Sequence, residues 1–249
     1  MQNNSLQVYG QQTANAQTVM PLQNPAQQSQ GEIDDYHFRF KISIVGDSGV
    51  GKTCFLDAIS STLGTVVENE ESTELHIKTT YYIDDAYQYK IVYFDMPGKE
   101  RHHKYIHKYV NGSTAAIFMF NIAKRSSFER MEQWIQETQH CDTPIRILVG
   151  NMVDLTQNPK TAKNLINPVS KAEAISLARK YNMEYFETCS VGEASIVQVF
   201  DHLFNSLLAL VPNPPDPAQL MGKNVVLGQR VLNDIKFKLA LAEMLPNYD

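Results

Sequence analysis

A chain of 249 residues and 28.2 kDa, 43% hydrophobic, has room for one α/β domain of about 150–200 residues with appendages. A net charge of −5 and a pI near 5.8 argue against nucleic-acid binding, and no apolar run approaches the roughly 20 residues that cross a bilayer. Cys54, Cys141 and Cys189 lie far apart without metal-ligand spacing, so they read as reduced thiols of a cytoplasmic protein rather than a disulfide framework or a metal cluster.

Residues 1–36 form a leader with nine Gln and four Asn in its first 31 positions and no Lys or Arg. It has no basic stretch followed by an apolar one, so it is not a secretory signal, and Gln2 excludes myristoylation. Such a composition buries too little apolar surface to offset chain entropy, and disorder is the expectation.

The folded unit is expected over 37–211. Phe40, Ile42, Ile44 and Val45 predict a buried strand, and Cys54–Ser60 a helix. Between them stands Gly46-Asp47-Ser48-Gly49-Val50-Gly51-Lys52-Thr53, a full match to G-x-x-x-x-G-K-[ST] in the strand–turn–helix context that this motif requires. Its glycines let successive N–H groups turn inward as an anion nest, and the helix that begins near Cys54 adds its positive end. Lys52 is then placed to reach the β and γ phosphates, and the Thr53 hydroxyl to ligate Mg²⁺.

Downstream, Gly64–Thr73 reads as a polar, acidic loop. Leu75, Ile77, Thr79 and Tyr81 alternate as a strand, Asp84-Asp85 is a turn, and Tyr89, Ile91 and Tyr93 return antiparallel. Strand and helix then alternate: strand Ala115–Ile122, helix Ser126–Gln139, strand Ile145–Gly150, helix Ser170–Tyr181, strand Tyr185–Thr188 and helix Glu193–Val211. The pattern predicts a mostly parallel sheet with one antiparallel edge pair, covered by helices on both faces. Trp134 and the aromatic stripe beside it read as core. Pro212, Pro214, Pro215 and Pro217 open a linker, and Gln229–Met244 carries the apolar spacing of an amphipathic helix, so 212–249 is assigned to linker and helix.

Two later motifs carry chemistry. Asp95-Met96-Pro97-Gly98 closes a strand about 40 residues after the phosphate loop, where the Asp95 carboxylate can hold Mg²⁺ and the Gly98 N–H can meet a γ-phosphate. Asn151-Met152-Val153-Asp154 follows a strand, and a carboxylate at Asp154 can accept both guanine N1–H and N2–H, which adenine cannot supply.

Together these residues resemble the Ras-like small GTPases, most closely their Rab branch. The loop at 46–53, the stretch Asp95-Met96-Pro97-Gly98-Lys99-Glu100-Arg101, the motif at 151–154 and Phe186-Glu187-Thr188-Cys189-Ser190 follow the family's four signatures in order over roughly 37–211. The resemblance implies a P-loop NTPase three-layer sandwich with a six-stranded sheet and five helices. It implies GTP or GDP with Mg²⁺ as ligands, and protein effectors with exchange or activating factors as partners. The nucleotide site would comprise Gly46–Cys54 at the phosphates, Thr53 and Asp95 at the metal, and Asn151, Met152, Asp154, Thr188, Cys189 and Ser190 at the guanine.

The departures are specific. Lys99 stands where the family has the Gln that orients the attacking water; a lysine cannot accept that hydrogen bond, so intrinsic hydrolysis is expected to be slow. The first-switch Thr position falls on Glu70 or Glu71, with Thr65, Ser72 or Thr73 as substitutes if the loop reshapes. Met152 and Val191 replace lysines of the guanine motifs, and the end Leu245-Pro246-Asn247-Tyr248-Asp249 carries no prenylation signal, so no lipid anchor is expected. These departures support an alternative in which a pseudo-GTPase serves as a structural or interaction subunit. A P-loop kinase needs a lid and an acceptor site, and the Asn151–Asp154 motif argues against it.

Overall fold

The structure, a computed structural model, describes residues 36–63, 67–71, 76–83, 87–96, 98, 106–189, 193–211, 214 and 225–227. In chain order its elements are β1 (Phe38–Val45), α1 (Lys52–Leu63), β2 (Val67–Glu71), β3 (His76–Ile83), β4 (Gln88–Asp95), α2 (Ile106–Val110), β5 (Ala115–Asn121), α3 (Arg125–Glu129) and α4 (Met131–Glu137). They continue with β6 (Ile145–Asn151), α5 (Asp154–Gln157), α6 (Pro159–Ala162), α7 (Lys171–Lys180), β7 (Glu184–Thr188), α8 (Glu193–Ala209) and β8 (Val225–Leu227). The strands form one sheet in the order β2-β3-β4-β1-β5-β6-β7, with β8 added beside β1.

Strand β5 explains why the sheet needs cover on both sides. All seven of its residues are buried, and side chains alternate between faces along a strand. Ala115, Ile117 and Met119 join a core with Phe55, Leu56 and Ile59 of α1 and Phe200, Leu203 and Leu207 of α8. Ala116, Phe118 and Phe120 join the opposite core with Ile106 and Val110 of α2, Trp134 and Ile135 of α4, and Ala174 and Ala178 of α7. A strand apolar on both faces is stable only between two helical layers, which is the α/β class expected.

All six predicted strands form, and β3–β4 is the antiparallel pair. Two further strands join them. β2 arises within the stretch read as a polar loop and pairs antiparallel with β3, Val67 opposite Thr80 through Glu71 opposite His76. Its backbone pairs along the edge that β3 offers, although its acidic sequence carries no alternating apolar signal. β8 arises within the stretch assigned to linker. β5 pairs with β1 only from Ile42 to Val45, and β8 takes the remaining length in parallel, Phe38–Phe40 opposite Val225–Leu227. The proposed amphipathic helix over 229–244 and the 1–35 part of the leader lie outside the described residues. The predicted helix Ser126–Gln139 is divided at Arg130 into α3 and α4; the Arg130 N–H reaches the Ser126 carbonyl at only 3.4 Å.

Candidate functional site

The expected site residues that the structure describes gather at the carboxyl ends of the parallel strands, beside β1. There the chain runs to β4 on one side and β5 on the other, the crevice where open α/β sheets hold ligands. Val50 anchors the phosphate loop by burying its side chain in the core shared with α1 and α8. Gly51 turns with φ +94°, and a Cβ there would lie 2.4 Å from Asn151 Nδ2. The Phe55 N–H then closes the first turn of α1 on the Gly51 carbonyl at 2.8 Å.

Gly98 lies directly against this loop. The Ser48 N–H donates to the Gly98 carbonyl at 3.0 Å, and a Cβ on Gly98 would come within 2.2 Å of the Asp47 carbonyl carbon and the Ser48 nitrogen. Only glycine permits so close a backbone approach.

Lys52 spans the loop from below. Its Nζ donates to the Gly46 and Asp47 carbonyls, each at 2.8 Å. Burial pulls its ammonium below the ordinary lysine range, while the Asp95 and Asp47 carboxylates act in the opposite direction. Next to it the Thr53 hydroxyl donates to Asp95 Oδ2 at 2.5 Å, so two hard oxygen donors from α1 and β4 meet at one point. Among the described residues no group of three or more His, Cys, Asp and Glu could hold a metal.

At the end of β6, Asn151 is fully buried and ties the phosphate loop to the end of β7. Its Nδ2 donates to the Val50 carbonyl at 2.9 Å, and its Oδ1 accepts from the Thr188 hydroxyl at 3.1 Å. Met152 takes φ +65°, unusual for a side chain of its size, and its thioether methyl lies beside Gly51. Asp154 opens α5 with its side chain exposed. The Cys189 N–H and carbonyl are both held by the Ser195 hydroxyl, at 3.2 and 3.4 Å. Cys54 is exposed on the first turn of α1.

Lys99, Ser190, Val191, Thr65, Ser72 and Thr73 lie outside the described residues. Glu70 and Glu71 sit in β2, their backbone paired with Ile77 and His76.

Sequence reasoning missed one part of this site. Asp47 is 3% exposed, and its carboxylate is met from α4 and the joint before it. Arg130 donates to Oδ2 through Nε at 2.6 Å and through Nη2, and the Trp134 indole N–H donates to Oδ1 at 3.0 Å. Trp134 is buried in the core as expected, and the signal for its second role was available: a buried indole N–H requires an acceptor.

A sequence model described as the Ras family matches residues 41–209. GTP-binding protein ypt3 of Schizosaccharomyces pombe is 27% identical over 212 residues, 82% of this chain and 95% of its own length. Ras-related protein RABE1e of Arabidopsis thaliana is 30% identical over 169 residues, 67% of this chain and 73% of its own. Ras-related protein Rab-11A of Dictyostelium discoideum is 26% identical over 188 residues, 75% of this chain and 84% of its own.

Proposed function

The chain belongs to the Ras family, closest to its Rab branch, and we propose that it is a small GTP-binding protein that holds GTP or GDP with Mg²⁺ and hydrolyses GTP slowly. The observation that carries this reading is the convergence of the phosphate loop, Lys52, the Thr53–Asp95 pair and the Asn151 loop at one end of the sheet. In this reading the loop N–H groups and Lys52 bind the phosphates. Thr53 and Asp95 hold Mg²⁺, which supplies charge neutralisation at the phosphate oxygens. Asp154 accepts the two guanine N–H groups, and Asn151 keeps its loop in reach of the phosphate loop.

The Ser48 N–H bond to the Gly98 carbonyl sets the Asp95–Gly98 motif directly against the phosphate loop, as a site that reads the γ-phosphate requires. Hydrolysis is slow because Lys99 offers a cation but no acceptor for the attacking water.

The test is to purify the protein with Mg²⁺, identify any nucleotide carried with it, and follow single-turnover hydrolysis of loaded GTP in wild type and Lys99→Gln. Guanine nucleotide in the preparation and turnover raised on the order of tenfold or more by Lys99→Gln are expected. GTP left intact in both proteins would remove hydrolysis and leave a scaffold role. No guanine nucleotide bound, even on addition, would overturn the reading.

A further inference from the structure

A loop built to hold a polyanion carries a buried carboxylate of its own. Asp47 follows the first glycine of the phosphate loop, and its side chain is only 5% exposed. Without cations beside it, that charge would bear the desolvation penalty of burial and repel any phosphate seated on the neighbouring N–H groups. Lys52 feels that carboxylate through space, but its hydrogen bond is to the Asp47 backbone carbonyl.

The carboxylate is met instead from 83 and 87 residues away in sequence. Arg130 stands at the joint of α3 and α4, and Trp134 follows one turn later. Residues four apart share a helix face, so the guanidinium and the indole N–H converge on one acceptor group. Arg130 puts two donors on Oδ2 and Trp134 one on Oδ1. A guanidinium suits this place because its planar fork stays charged at any working pH.

We propose that Arg130 is a positioning residue of the phosphate loop: it cancels the Asp47 charge and, with Trp134, fixes the loop so that its backbone donors face the phosphates. The inference rests on the reading of 46–53 as a nucleotide phosphate site. Coupling runs both ways by linkage, so nucleotide occupancy also alters the surroundings of Trp134, the single tryptophan of the chain.

The experiment measures GDP affinity with Mg²⁺, by titration with a fluorescent GDP analogue, in the full chain and in Arg130→Met, Arg130→Lys, Asp47→Asn and the Asp47→Asn/Arg130→Met double variant. Arg130→Met is expected to weaken GDP binding on the order of tenfold or more, and Arg130→Lys less. The double variant should bind GDP more tightly than Arg130→Met alone, because it leaves no unpaired charge. A merely structural Arg130 would lower the unfolding temperature without that rescue of affinity. Equal affinity in wild type and Arg130→Met, or the same loss from Arg130→Met with and without Asp47→Asn, would overturn the proposal.

Intrinsic emission covers the case in which Arg130→Met does not fold or wild type binds no nucleotide. Asp47→Asn should shift the Trp134 emission of the nucleotide-free protein, and an unchanged spectrum would overturn the contact itself. A wild type that fails to bind GDP but shows the shift would overturn the nucleotide reading and leave the Asp47–Trp134 contact standing.

Discussion

The Asn151 side chain, at the end of β6, reaches back 101 residues to donate to the Val50 carbonyl at 2.9 Å, and so joins that strand end to the middle of the phosphate loop. The same carboxamide accepts from Thr188 at the end of β7, which makes it one bolt through two strand ends and the phosphate loop. A carboxamide is suited to this because it is at once donor and acceptor. Gly51 leaves the room it needs.

Asn151→Ala strips the Val50 carbonyl and the Thr188 hydroxyl of these partners. A buried group left unsatisfied costs about 1–3 kcal/mol, so the unfolding midpoint should fall by about 3–10 °C. Asn151→Asp should cost more, since it replaces the donor to Val50 with a buried carboxylate facing a carbonyl. Thermal unfolding of the three proteins checks this, and equal midpoints for wild type and Asn151→Ala would remove the bolt.

Strand β8 occupies the stretch of β1 that β5 does not reach. Val226→Pro removes a backbone N–H and fixes φ in the middle of this three-residue strand, which weakens its pairing with β1. The expected result is faster amide exchange within Phe38–Phe40 and a loss of about 1–3 kcal/mol, the worth of two or so net backbone hydrogen bonds. Unchanged exchange over Phe38–Phe40 would show that β8 does not hold that edge in solution.

Acid should loosen the join between α3 and α7. Glu173 closes a capping box with Ser170, and Arg125 donates to it from the start of α3 at 2.5 Å. The Arg125 guanidinium, followed by the Ser170 hydroxyl and N–H, holds the Glu173 carboxyl at about 2, against an ordinary value of 4.5. Because the folded value is depressed, the contribution is complete above about pH 4.5 and is lost as pH falls toward about 2. Denaturant titrations from pH 7 to pH 2 should therefore fall less steeply below pH 4.5 in Glu173→Gln than in wild type. The effect is small, since the group is exposed and screened by solvent. Parallel curves would show that Glu173 has no part in the acid limb.

Much of the fold was legible because its causes are local. Six consecutive apolar residues in β5, Ala115 to Phe120, require two helical layers wherever they fold, and the spacing of Gly46, Gly49, Gly51 and Lys52 encodes a turn whose shape depends on its own backbone. The ends of the strands then place Asp95, Asn151 and Thr188 beside that turn. Less legible were features whose partners are distant. Arg130 reads as one more polar residue in a helix until α4 packs beside the phosphate loop and brings Asp47 to it. β2 and β8 carry weak strand signals, and they pair because the topology leaves an edge at β3 and a vacant length of β1. The sequence by itself determined the α/β architecture and the glycine-rich turn between β1 and α1, since dihedral preference and hydrophobic periodicity act within a few residues. Only the tertiary structure decided which cation neutralises Asp47 and which segment completes β1, because charge pairing and sheet pairing depend on what packing brings within about 3 Å.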